Sequence, residues 1–202
     1  MTNNIKISIV MPVYNQEKLV IRALQSIPER EDIEVIISDD GSTDKTRENI
    51  QDFINKSKLK ITLLCEDINK GIGYALNKCY DNACGEYIVQ LDSDDYFITE
   101  NFIKCIEELD GITDFIFYNY EINSGKIWDP INMPQMKCGN MKFIKRSLIG
   151  QDRCPEVRIA EDWHLHQKLL EKNPTEKITN YTVYHYNWPR KGSLCNTGGK
   201  NE

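Results

Sequence analysis

Over the first 120 residues the apolar positions alternate between two patterns. Short, nearly continuous apolar runs predict buried strands at Ile5–Val13 (IKISIVMPV), Ile33–Ser38, Lys60–Leu64, Tyr87 into the stretch LDSDD, and Asp114–Tyr120. Between them, apolar residues recur at helical spacing. Leu19, Val20, Ala23, Leu24 and Ile27 predict a helix that Pro28 ends, and Ile50, Phe53 and Ile54 predict one capped by Ser42. Ile72, Ala75, Leu76, Cys79, Tyr80 and Ala83 form a stripe closed by Gly85, and Phe102, Ile103, Ile106 and Leu109 follow a cap at Thr99. Strands alternating with helices predict an α/β fold with a mostly parallel central sheet flanked by helices.

The rest of the chain is less regular. Residues 123–140 carry two prolines and two glycines and read as an irregular excursion. A helix is expected over Asp162–Lys172 and a short strand over Tyr181–Tyr186. No composition shift marks a second domain. The expectation is a single domain over 1–202, with a ligand-binding half at 1–120, a catalytic half at 121–186 and a flexible tail at 187–202.

Composition narrows the function. Twenty-five basic against 31 acidic side chains give a net charge of −6, which argues against broad binding to nucleic acid or anionic membrane. No apolar run reaches the roughly 20 residues of a membrane span, and MTNNIKISIVMP is too short an apolar stretch for a signal peptide. The seven cysteines are scattered without a C-x-x-C pair, so reduced thiols, a cytoplasmic location and no zinc site are expected.

The candidate chemistry lies where strands end. In open parallel sheets, ligands gather beyond the carboxyl ends of the strands. Three strands here run into MPVYN, SDDGSTD and LDSDD. A helix-capping turn explains Ser42 and one Asp of the second motif, but not both Asp39 and Asp40. Asp92, Asp94 and Asp95 repel one another unless something positive sits between them. Their hard oxygens suit Mg²⁺ or Mn²⁺ rather than zinc, although the motif alone equally fits an exposed turn or a calcium loop. Tyr96 and Phe97 follow where an EF-hand would place spaced ligands. Neither a P-loop nor a G-x-G-x-x-G motif occurs.

Four stretches carry a resemblance: ISIVMPVYNQEKLVIRALQSI, IEVIISDDGSTDKT, NKGIGYALNKCYDNACGEYIVQLDSDDYF and AEDWHLHQKL. In order and spacing the chain resembles family 2 glycosyltransferases of the GT-A fold. The resemblance implies inverting transfer of a sugar from a nucleotide-sugar donor, most often a UDP-sugar, to a saccharide or glycoconjugate hydroxyl, with Mn²⁺ or Mg²⁺ under the diphosphate. It places Pro12, Val13 and Tyr14 along the nucleotide, and Asp40 with Asp39 on the base. Asp92 and Asp94 face ribose and metal, Asp94 being the direct ligand, and Asp95 orients the acceptor or its loop. Asp162 is the implied general base and Glu161 its positioning partner. His185 is a candidate metal or diphosphate contact, and Arg190 and Lys191 candidate diphosphate covers.

The match is incomplete where relatives carry Ala-Arg-Asn and this chain has Ala75, Leu76 and Asn77, leaving Lys70 or Lys78 as substitutes. His164 and His166 flank the base but are expected to point elsewhere. Trp128 and Trp163 suit either an acceptor sugar or the core. A homo-oligomer or a partner protein stays open. Two rivals also remain: a sugar-nucleotide nucleotidyltransferase, whose Gly-rich basic loop is missing after Val10, and a nucleotide-sugar-binding protein without turnover.

Overall fold

The computed structural model describes residues 5–155 and 161–189. Its described strands form one nine-stranded sheet built on β1 (Ile7–Val13), β2 (Ile33–Asp39), β3 (Lys60–Cys65) and β4 (Tyr87–Gln90). These four are parallel, in the order β3-β2-β1-β4. The sheet continues through β8 (Lys142–Lys145), β6 (Phe115–Ile122), β9 (Glu176–Tyr186) and β5 (Tyr96–Phe97), while β7 (Ile127–Trp128) pairs on β6. β8 lies antiparallel between β4 and β6, so β4 and β6 run the same way, and β9 is parallel to β6. One sheet therefore runs through both halves of the chain.

Strand periodicity sorts the core into two layers. Ile7, Ile9, Met11, Val35, Ile37 and Val89 face α1 (Val20–Gln25), α2 (Thr46–Ile54) and α4 (Thr99–Glu107). Val10, Ile36, Ile88, Phe115 and Phe117 face α3 (Ile72–Asn82), α5 (Arg146–Ile149) and α6 (Glu161–Leu170). β1 and β2 are buried throughout, as strands covered on both faces must be.

Three expected helix signals act differently. Ser42 does not cap α2; its hydroxyl accepts the Asn15 N–H at 3.0 Å, while Asp44 receives the Thr46 N–H at 2.9 Å. Thr99 is the first residue of α4 rather than its cap, and its hydroxyl donates to the Ser26 carbonyl at 2.9 Å. Gly85 does not close α3, which ends at Asn82. Gly85 is needed because the chain passes against β1: a Cβ there would lie 2.4 Å from the Ser8 nitrogen and 2.6 Å from the Ile7 carbonyl carbon. Its N–H donates to the Ser8 hydroxyl, which donates in turn to the buried Glu34 carboxylate at 2.6 Å.

Four strands exceed expectation. β5, β7 and β8 fall in stretches without a predicted strand, and β9 begins at Glu176 rather than Tyr181. All are made by tertiary pairing, which needs no local apolar run. The six described cysteines are free thiols, with Cys79, Cys105 and Cys154 buried and Cys65 and Cys84 exposed.

Gly85→Ala should destabilise the protein by at least about 2 kcal/mol, because backbone rather than a flexible side chain must move. Urea unfolding measures this.

Candidate functional site

The ends of β1, β2 and β4 meet at one edge. The Leu91 N–H reaches the Val10 carbonyl and the Asp40 N–H the Val13 carbonyl. Residues of Val10's parity face β4, so Pro12 faces a point beyond the last ladder residue, Gln90, where its missing N–H costs nothing. Pro12 and Val13 are buried and Tyr14 is exposed.

Asp39 and Asp40 are both buried and both engaged by their own chain. Asp39 accepts the Ser42 N–H at 3.0 Å and the Arg47 Nε at 2.6 Å. Asp40 accepts the N–H groups of Lys70 and Gly71 at 2.8 Å each, pinning that loop beside the end of β2. Each oxygen keeps a second lone pair, so the carboxylates can frame a pocket and still accept from a ligand. Lys70 and Lys78 are both paired with Glu66, at 2.6 and 2.7 Å, and hold its carboxyl down at about 2. Asn77 is spent on both backbone polar groups of Cys154.

The three carboxylates after β4 diverge. Asp95 turns inward and is 1% exposed, accepting the Tyr184 hydroxyl and the Asn187 N–H at 2.8 Å each. Burial, then the charges of Asp92 and Asp94, push its pKa well up. Asp95 was expected to orient the acceptor or its loop; its contacts are with its own chain, where it anchors the end of β9. Asp92 accepts from Gln90 at 2.8 Å and from Asn140 at 2.7 Å. Burial and the neighbouring Asp94 raise it to about 6. Asp94 is half-buried, and its backbone carbonyl receives Arg22 at 2.6 Å. Arg22 lies over Tyr96, 4.8 Å from its centroid, and Tyr96 stacks on His185 at 4.4 Å.

This arrangement decides what could hold a cation. Among the described residues no three His, Cys, Asp or Glu side chains converge. Asp92 and Asp94 supply the one or two hard carboxylates with which Mg²⁺ and Mn²⁺ bind while taking their other ligands from phosphate and water. His185 fits less well. Its Nε2 is bonded to Asn123 at 3.1 Å, its ring is held in the stack, and burial lowers its pKa. Arg190 and Lys191 lie outside the described residues.

Across from the aspartates, α6 opens with Glu161 and Asp162, where the helix dipole favours negative charge. Glu161 is 8% exposed, and burial raises it to about 7. Asp162 is more open; it accepts the Trp163 N–H at 2.7 Å and lies against Gly139. It lines a cavity of about 20 Å³ with Gln90, Asn140 and Lys142. Burial raises its pKa, opposed by the Trp163 N–H and by Lys142. A carboxylate so raised and facing a cavity suits proton abstraction better than its buried neighbour.

Lys142 was not foreseen. It is 3% exposed, and its ammonium donates to the carbonyls of Lys137, Cys138 and Gly139 at 2.6, 3.0 and 2.7 Å. Burial lowers it to about 8, with Asp162 acting the other way. It thereby ties off the 3-10 turn Pro134–Cys138 and sets the Gly139–Asn140 segment that touches both Asp162 and Asp92. Nothing in MKFIK distinguishes an inward lysine from a solvated one. His166 was misjudged: four residues after Asp162, it shares that face, lines the same cavity and is 5% exposed. Burial lowers it to about 4, and its Nδ1 has no hydrogen-bond partner among the described residues. Trp128 packs on Tyr186 and Trp188, whereas Trp163 is exposed.

Lys142→Met should cost about 2–4 kcal/mol in urea unfolding, since it strands carbonyls that the ammonium satisfies. Glu161 yields a pH prediction. A carboxyl with a folded pKa above its unfolded value binds more protons when folded, so stability falls as pH rises from about 4.5 through 7. Glu161→Gln should remove that slope and stabilise the protein at pH 8 by up to about 3 kcal/mol, as read by urea midpoints across pH.

The model of Glycosyl transferase family 2 matches residues 8–180. The Escherichia coli UDP-Glc:alpha-D-GlcNAc-diphosphoundecaprenol beta-1,3-glucosyltransferase WfgD is 33% identical over 188 residues, covering 85% of this chain and 72% of that protein. Residues 1–349 of Staphylococcus aureus TarS, solved with UDP-GlcNAc, superpose with a TM-score of 0.78 at 25% identity, covering 93% of this chain and 60% of that one. The mannosyltransferase PcManGT from Pyrobaculum calidifontis, solved with GDP-Man and Mn²⁺, gives a TM-score of 0.76 at 22% identity, covering 93% of this chain and 58% of that one. The chain spans 72% of WfgD but only 15% of the Escherichia coli chondroitin synthase that it also resembles. Among the described residues no helix is long and apolar enough to cross a membrane. The match over most of the chain, together with the shared architecture, makes this protein a GT-A-fold member of glycosyl transferase family 2.

Proposed function

We propose that this chain transfers a sugar, with inversion, from a nucleoside diphosphate sugar to a hydroxyl of a saccharide or glycoconjugate, with a UDP-sugar as the donor. One observation carries the reading. The raised Asp162 carboxylate lines a cavity whose Asn140 also binds Asp92, so a candidate base and a candidate cation ligand are linked through one side chain. Asp162 accepts the proton of the acceptor hydroxyl, Glu161 and the Trp163 N–H fix its position, and a single base on the acceptor side matches direct displacement without a covalent intermediate. Asp94 and Asp92 are the carboxylates that would hold Mn²⁺ or Mg²⁺, which when bound stabilises the leaving diphosphate. Asp39 and Asp40 frame the base pocket, with exposed Tyr14 at its mouth. Relatives that act on UDP-Glc or were solved with UDP-GlcNAc support a uridine donor, and the Mn²⁺ bound with GDP-Man in PcManGT supports the cation.

Calorimetric titration of UDP in Mn²⁺ and in EDTA tests the reading. Binding should require the cation and be lost in Asp94→Ala; equal affinity in EDTA overturns the cation assignment. Asp162→Asn should keep UDP affinity within about threefold of wild type and lower transfer by roughly 10²–10⁴. A non-catalytic binding protein would release no UDP from any donor, and a turnover within a few-fold of wild type would move the base to Glu161.

A further inference from the structure

A second concavity adjoins the site and has no role in the reading above. It is a groove of about 310 Å³ between α6 and the 3-10 turn, and Trp163, Gln167, Gln135, Lys137 and Glu176 are among its lining residues. Its first residue on α6, Trp163, directly follows the proposed base. His166 and Cys138 line both this groove and the Asp162 cavity, so the two adjoin.

Two of its side chains are held in place before any ligand arrives. Trp163 is 46% exposed, a large indole left open beside a catalytic position, and the His164 ring packs edge-on to it at 5.0 Å. Lys137 is fixed from two directions, by Glu176 at 2.7 Å and by the Phe117 ring 4.7 Å from its Nζ. Two primary amides, Gln135 and Gln167, supply donors and acceptors together.

This chemistry excludes several occupants. The lysine charge is already neutralised by Glu176, so the groove offers no surplus cation for phosphate or nucleotide. An apolar chain would bury an ion pair and two amides without partners for them. A neutral, hydroxyl-rich ligand satisfies every element: its C–H face lies on the indole, and its adjacent hydroxyls bridge amides and the ion pair. We infer that this groove is a subsite for a neutral saccharide chain, holding the acceptor residues that extend beyond the reacting hydroxyl.

The inference rests on the proposed transfer for its biological sense, but its binding test does not. Saturation-transfer difference NMR on the full 202-residue chain in Mg²⁺ can use three neutral probes: cellobiose, lactose and N,N′-diacetylchitobiose. At least one should receive saturation, mainly on ring C–H protons. That signal should fall at least fivefold in Trp163→Ala and clearly in Gln167→Ala, whose side chains are at the surface and whose loss leaves the core intact. UDP in the same tubes reports separately on the donor site, so loss of UDP binding alone overturns the proposed function and leaves the groove standing. Absence of saturation transfer to all three probes in wild type overturns the subsite. Equal probe signals in wild type and both variants overturn it as well.

Discussion

Three carboxylates within four positions at the end of a buried strand cannot all face the same way, and the site is organised by how that repulsion is relieved. Asp95 is withdrawn into the protein and held by Tyr184 and the Asn187 N–H. Asp92 is held between two amides, and Asp94 keeps its place through its own backbone carbonyl and Arg22. The Tyr184 hydroxyl joins these solutions, donating to Asp95 while accepting the Asp92 N–H and Asn140. This one phenol ties the end of β9 to the aspartate turn that leads into β5.

The opposite wall depends on a second buried charge. Lys142 sits on β8, the antiparallel strand inserted between β4 and β6, and gathers three carbonyls of the preceding turn. An apolar side chain could fill the volume but not bind those oxygens. Because Asn140 lies two residues away and reaches Asp92, the lysine on one strand sets the geometry of a carboxylate on the next.

Much of the fold was legible in the chain because buried parallel strands and amphipathic helices leave strong periodic signals. β1, β2, β4, α3 and α6 follow them closely. β8 and the first half of β9 left none, since Lys142 and the polar stretch from Glu176 become strand only through their neighbours. Within the site, residue types pointed to the aspartates but not to their directions. Asp95 and Asp94 are adjacent in sequence, yet one is sealed and the other half-open. His166 was recoverable from spacing alone, being one helical turn past Asp162, whereas an inward lysine leaves no mark in a single sequence.

The antiparallel insertion of β8 also bears on the order in which the molecule is assembled. β1, β2, β3 and β4 all precede residue 91 and pair with one another in parallel. The sheet cannot cross from β4 to β6 until β8, more than fifty residues after β4, is in place. Synthesis therefore completes β1 to β4 before β8 exists. A growing chain can thus hold a formed N-terminal half while Asp92 still lacks Asn140 and Asp95 still lacks Tyr184. During synthesis the acidic cluster spends its first moments uncompensated, and nascent chains stopped before residue 140 would carry the motif without its electrostatic relief.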